Sequence, residues 1–292
     1  MRLSIPLLAL SLSGCTFYLG GADDSPPVDD VPDDDGWPSV DAGPVVDAPW
    51  PNCTWPSGTN VTICGSVRDV ATSGVLPDPY QIEVQYYDAL DLANDPTAAV
   101  RLYPVSTFLG YLGDFADLDV PLPPSGILAI VVDDSPTTGL DRYRRTVTSM
   151  QVSAGSFVEF AVAHVLRADT DLQWTQEIGL TAPPTIVDDG AILQCFEAGP
   201  AQPATGVSAT EAGAPDADDT IYFSDSGQQT RQQLNPILTA TGANGCVIDR
   251  ASALVEHSGV SGAPGDCWWE SKLAAAVPKT LWVSFHGAIC PI

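Results

Sequence analysis

Positive charge is scarce in this chain: 11 Lys and Arg stand against 37 Asp and Glu, for a formal charge of −26 at pH 7. Phosphate backbones are gripped by basic faces, so nucleic acid is not an expected partner, and anionic lipid surfaces are disfavoured by the same repulsion. Histidine is scarcer still. The residues three places after His164, His257 and His286 are Arg167, Val260 and Ile289, so no His-x-x-Glu pair exists to set imidazole and carboxylate on one zinc ion. No Cys-x-x-Cys occurs either. The string nearest to a serine-hydrolase elbow, GVSGA at 259–263, lacks its last glycine. His257, Ser261 and Asp266 lie close in sequence, but the segment reads better as a polar loop stapled by a disulfide than as a triad. Phosphate-cradling glycine loops and dinucleotide fingerprints are also missing. These absences point away from an enzyme.

Long apolar runs are lacking as well. Residues 3–12, LSIPLLALSL, form a ten-residue apolar core behind Met1 and Arg2, well short of the about 20 residues a membrane-crossing helix needs. The pattern is that of a secretory leader over residues 1–14. It ends in Leu12-Ser13-Gly14-Cys15, which resembles the lipobox of bacterial lipoproteins. The resemblance implies that Cys15 becomes the mature N-terminus and carries acyl chains such as palmitate, at about 0.8 kcal/mol per buried CH₂. Thr16 follows where the family's inner-membrane retention signal would have Asp, so the resemblance implies a lipid anchor in the outer membrane of a Gram-negative cell.

Residues 16–51 contain nine Asp, seven Pro and no Lys or Arg. Such a segment repels itself and has too little apolar area to offset ordering, so residues 15–51 read as a disordered, acidic tether. At the stiffness of Pro-rich chains it could reach about 100 Å when fully extended. Its DVPDDDG lacks the alternating register of a calcium loop and reads as solvated charge.

Setting Cys15 aside leaves six cysteines in an exported chain, which reads as three disulfides. Two lie at the start of the globular region and four near its end. Pairing within halves gives Cys53 with Cys64 and three choices for the others, of which Cys195–Cys290 with Cys246–Cys267 is preferred because it ties the first strand of the second half to the last.

Beyond residue 52 the hydrophobic period is that of strands. YQIEVQYY sets Tyr80, Ile82, Val84 and Tyr86 opposite Gln81, Glu83 and Gln85, the alternation of a half-buried strand. GILAIVVDD, RRTVTSMQV and SFVEFAVAHVL add further strands between turn residues, while TFLGYLGDFADL fits a helical period weakened by Gly110 and Gly113. Arg142, Arg144 and Arg145, the one local basic cluster, read as a solvated strand edge. Two stretches, ICGSVRDVATSGVLPDPYQIEVQYYD and YLGDFADLDVPLPPSGILAIVVDD, are similar to the carboxypeptidase regulatory-like domains, small transthyretin-like sandwiches. Gly65, Val67, Asp69, Ser73, Gly74, Gly113, Phe115 and Val120 occupy the positions of that pattern, with Leu76-Pro77 in inverted order. The resemblance covers about 70 residues and implies a fold, with no catalytic residue.

The expected architecture is all-β: a first immunoglobulin- or transthyretin-like sandwich over 52–168, a helix and connector over 169–188 with Asp171 as N-cap, and a second, divergent sandwich over 189–292. Leu172, Trp174, Ile178 and Leu180 would form the helix's apolar face. No cofactor is expected, calcium being the one candidate, at Asp216, Asp218, Asp219 and Asp225. Trp268 and Trp269 are the candidate ligand platform, for a glycan or peptide. The function expected is adhesion, assembly or ligand presentation by a non-enzymatic envelope protein, the alternative being a surface carbohydrate-binding module. The membrane is met through lipid, and any protein or glycan partner is left open.

Overall fold

The computed structural model describes residues 53–289 except 78, 80, 104–106, 111–112, 135–141, 200–201, 212–219, 251–256, 262–267 and 270–274. The leader, Cys15 and the acidic segment lie outside the described residues. The chain is mostly strand. Its first half contains β1 (Val61–Asp69), β2 (Ile82–Asp88), helix α1 (Ala89–Asn94), β3 (Thr107–Phe108), β4 (Asp114–Val120), β5 (Ile127–Asp134), β6 (Tyr143–Arg144), β7 (Thr146–Gln151) and β8 (Phe157–Arg167). One sheet runs β4-β1-β8-β6 and faces a second that contains β7-β5-β2-β3. Between them Val61, Ile63, Val67, Ala163 and Val165 of the first sheet meet Ile82, Val84, Tyr86, Leu128, Ile130 and Val132 of the second.

The continuous apolar run of β5 has a simple cause. Its even residues fill the sandwich, while Ala129 and Val131 face a second core with Leu92 of α1 and Trp282. With both faces covered, alternation is lost. The same covering corrects the reading of β2 as half-buried, since Glu83 and Gln85 are buried too and the Gln85 amide donates to the Glu83 carboxylate at 3.2 Å. The ambiguous TFLGYLGDFADL is strand at both described ends, in β3 and β4. Two glycines of the GSVRD and YLGDF motifs are required by the backbone. A Cβ on Gly65 would lie 2.0 Å from the Ala161 carbonyl oxygen, because β1 and β8 pair in parallel there, and Gly113 has φ +82°.

The second half contains α2 (Ala168–Glu177), α3 (Ile186–Asp189), β9 (Ala191–Gly199), β10 (Gln202–Pro203), β11 (Val207–Glu211), β12 (Thr220–Phe223), β13 (Leu234–Asn235), β14 (Cys246–Asp249), β15 (His257–Ser261), β16 (Trp268–Trp269) and β17 (Leu281–Ile289). The two halves share a sheet. β17 pairs in parallel with β7 on one side and β9 on the other, so the order runs β13-β12-β14-β9-β17-β7-β5-β2-β3 without a break. Trp174, Ile186 and Val187 of the two helices cover one face of β9, β12, β14 and β17. Asp171 is not the N-cap of α2. That position is Arg167, which makes no side-chain cap, whereas the fully buried Asp171 accepts from Arg144 Nε at 2.7 Å and from the Val187 N–H at 3.3 Å. Trp174 is fully buried, but Leu172 and Leu180 are exposed, so the apolar face is narrower than the sequence pattern suggests.

Cys53 is bonded to Cys64. In the second half the preferred pairing is replaced: Cys195 is bonded to Cys246, not to Cys290, and Cys246 is therefore not bonded to Cys267. The reason is register. β9 and β14 are antiparallel neighbours in which Cys195 stands directly opposite Cys246, with Cα atoms 4.1 Å apart. Cys267 and Cys290 lie outside the described residues.

Candidate binding site

β8 at Val162 and His164, the end of β1 with the turn after it, the 228–231 segment and the middle of β17 converge where the two halves meet. They enclose a cavity of about 470 Å³ whose wall includes Arg68, His164, Glu197, Arg231 and Phe285. Its deepest cation is Arg231. The main chain seats this residue: its N–H donates to the Ala71 carbonyl at 2.6 Å, and its own carbonyl accepts from the indole N–H of Trp174 at 3.1 Å. The guanidinium donates from Nη1 to the Val70 carbonyl at 2.9 Å and to Ser73 Oγ at 3.1 Å, and from Nε to Cys246 Sγ at 2.9 Å. All three acceptors are neutral. Among the described residues no carboxylate forms an ion pair with Arg231; Glu197 and Asp225 act on it only through space. Burial brings its pKa down to about 10 against that pull.

His164 is the second buried polar group on this wall, at 6% exposure. Its ring stacks on Phe285 with centroids 5.0 Å apart, while the Arg231 guanidinium lies 5.7 Å from the Phe285 centroid. Its Nδ1 is buried without a hydrogen-bond partner. Burial first, and the Arg231 charge second, hold the imidazole pKa down to about 3, so the ring is neutral at physiological pH. The neighbouring residues explain the position: Thr148 Oγ1 accepts from the His164 backbone N–H, and Val162, two places earlier on the same strand face, is 44% exposed at the cavity.

A second cavity of about 450 Å³ is lined by Asp133, Arg144, Arg145, Asp188 and Lys279. It corrects the reading of the arginine cluster as a solvated edge. Arg142 pairs with Asp134 at 3.1 Å, Arg144 with Asp171 at 2.7 Å, and Arg145 is only partly exposed, with Nε sealed. Burial pushes the Asp133 carboxyl up to about 6 although Arg145 pulls it down. Charges on this wall are of both signs.

The residues singled out in the sequence lie elsewhere. Trp268 and Trp269 form β16, whose backbone pairs with Gly259 and Val260 of β15 and with Ala288 and Ile289 of β17. Asp225 spends its Oδ2 on the N–H groups of Gln232 and Gln233, each at 2.9 Å; Asp216, Asp218 and Asp219 lie outside the described residues. His257 and Ser261 are paired along β15 to Glu211 and Val207, and Asp266 lies outside the described residues. Among the described residues no three His, Cys, Asp or Glu side chains gather as a metal site, and no helix is long and apolar enough to cross a membrane. Sequence reasoning missed Arg231 and His164. The one available signal was the rarity of arginine in so acidic a chain; the rest depends on contacts between residues 68, 164, 231 and 285 that no local pattern encodes.

No family model and no curated protein matches the chain. Among solved structures it is similar to the shaft pilin SpaA of Lactobacillus rhamnosus GG, at 8% identity and a TM-score of 0.24, over 81% of this chain and 100% of that one. It is similar as well to a streptococcal ancillary pilin, at 11% identity and a TM-score of 0.23, over 78% of this chain and 68% of that one. A family-26 carbohydrate-binding module of Eubacterium rectale Amy13K, solved with maltoheptaose, matches at 11% identity and a TM-score of 0.23, over 80% of this chain and 97% of that one. Likenesses this distant assign neither ligand nor partner.

Proposed function

We propose that this chain is a non-enzymatic, lipid-anchored protein of the outer membrane, in which a disulfide-stapled double sandwich at the end of an acidic spacer serves adhesion, assembly or ligand presentation. Cysteine parity carries the reading. With Cys53–Cys64 and Cys195–Cys246 bonded, Cys267 and Cys290 remain as an even pair. Cys15 is then the odd one, at the place where the LSGC motif sets an acylated sulfur. The spacer supports the same reading, because a segment of one charge sign extends and keeps the sandwiches off a like-charged surface. The non-enzymatic part rests on the sequence, which contains no His-x-x-Glu pair, no complete serine-hydrolase elbow and no dinucleotide fingerprint. Expression in a Gram-negative host tests the anchor. The native chain should sediment with membranes and have a mass that begins at Cys15 plus acyl groups, whereas Cys15→Ser should be released to the soluble fraction. A Cys15→Ser chain that stays on membranes to the same extent would overturn the reading.

A further inference from the structure

We infer that the cavity at the junction of the two halves is a binding site for a single carboxylate, borne either by an acidic sugar or by a peptide C-terminus, with Arg231 as the deep counter-charge and Arg68 at the rim. The site rests on the ligand-presentation part of the proposed function and does not depend on the anchor.

Burying Arg231 has a cost. A guanidinium left 6% exposed with only neutral acceptors is a buried charge without a counter-ion, an arrangement that proteins seldom keep unless something else supplies the opposite charge. This chain has 37 acidic residues to offer, yet none is placed in contact with Arg231 among the described residues. His164 adds an independent sign. Its ring is more than nine-tenths buried on the same wall, makes no hydrogen bond there, and leaves Nδ1 orphaned. A buried guanidinium with no carboxylate in contact and an imidazole with no side-chain hydrogen bond, both on one cavity wall, are explained together by an anionic ligand seated there.

The surroundings of these two groups decide the class of ligand. Glu197 stands in the wall, and Asp225 acts on Arg231 through space, so a dianion such as phosphate meets about twice the repulsion of a monoanion and costs more to desolvate. Val162 and Phe285 give the cavity an apolar side, which suits a carbon skeleton more than a bare inorganic ion. Gln228 and Gln229 at the mouth carry exposed amides that can donate to and accept from hydroxyl or peptide groups next to the carboxylate.

Calorimetric titration of the full chain distinguishes the sources. Galacturonate is compared with galactose, and an acetylated tripeptide with a free C-terminus is compared with its C-terminal amide; inorganic phosphate is the control. One carboxylate probe should bind at least tenfold more tightly than its neutral partner and than phosphate, and which one binds names the source. Arg231→Gln should abolish that binding. Because Arg231 also holds the Val70 and Ser73 turn, Arg68→Gln is the second variant: it should weaken binding at least tenfold at an unchanged melting temperature. Equal binding of the neutral partners, binding of neither carboxylate at 10 mM (roughly the weakest affinity of interest), phosphate binding as tightly, or an Arg68→Gln chain that binds normally would each overturn the inference. A chain released from membranes by Cys15→Ser that still binds its carboxylate would leave the site standing and separate it from the anchor.

Discussion

Replacing Cys195 and Cys246 together by alanine is expected to lower the unfolding free energy of the chain by about 4 kcal/mol, the loop-closure value for a bridge whose ends are 51 residues apart. For Cys53–Cys64, with a separation of 11, the same relation gives about 3 kcal/mol. The longer loop matters more because it joins β9 to β14, two neighbours in the sheet whose intervening chain includes β10 to β13. Without the bridge the unfolded chain gains freedom, and the sheet loses one tie between strands that also meet through backbone hydrogen bonds, the buried Gln194–Asp249 hydrogen bond and the core around Ile221 and Phe223. Urea titration under non-reducing conditions reads the difference, and thiol reduction of the wild-type chain, which also opens Cys53–Cys64, should lower the midpoint further. A midpoint unchanged by the double substitution would contradict the pairing. Digestion without reduction gives the companion result. Trp268 and Ile289 stand opposite each other in the β16–β17 register, and Cys267 and Cys290 are the flanking residues one step on, so the third linked peptide should contain these two. Free thiols at both positions would refute it.

The cysteine pairing marks where the sequence stops being informative. Six cysteines can be divided by half of the chain, but the choice within the second half depends on which strand lies beside which. By sequence the C-terminal strand closes its own sandwich. Instead β17 inserts between β9 and β7 and fuses the two sheets, so β9 takes β14 as its other neighbour and Cys195 finds Cys246. Strand character is legible because side-chain alternation is local, as in Ile82, Val84 and Tyr86, and the all-β class comes from it. Coverage of the other face is not legible in β2, where Glu83 and Gln85 look solvent-facing until α1 and the β17 neighbourhood are in place. Arg144 belongs to the same class of miss: its partner Asp171 is 27 residues away and reads in sequence as a helix cap. Buried polar groups brought together across such distances carry no periodic signature, and His164 and Arg231 of the candidate cavity are of this kind.

Two such groups give the chain an acid response that is nearly hidden in the wild type. His164 stays neutral down to about pH 3, whereas an unfolded histidine takes up a proton near pH 6.5. Between those values the unfolded state holds more protons, so His164 makes stability fall as pH drops, at about 1.4 kcal/mol per pH unit. Asp133 acts in the opposite sense. Its folded pKa of about 6 lies above the ordinary 3.8, the folded state holds the extra proton between them, and stability rises as pH falls through that window. Arg145 opposes the shift of Asp133, and Asp134 and Glu83 reinforce it. From pH 6 to pH 4 the two slopes cancel to first order, and the wild-type urea midpoint should change little. Asp133→Asn removes one slope: the variant should gain about 1–3 kcal/mol at pH 7, where the wild type ionises a carboxyl against its burial, and lose stability steadily on acidification. His164→Gln removes the other, and its stability should rise by about 2–3 kcal/mol between pH 6 and pH 4, whatever the substitution costs at neutral pH. Chemical denaturation at half-unit pH steps compares the three slopes. Parallel curves for wild type and both variants would mean that neither group titrates in the folded chain as its burial requires.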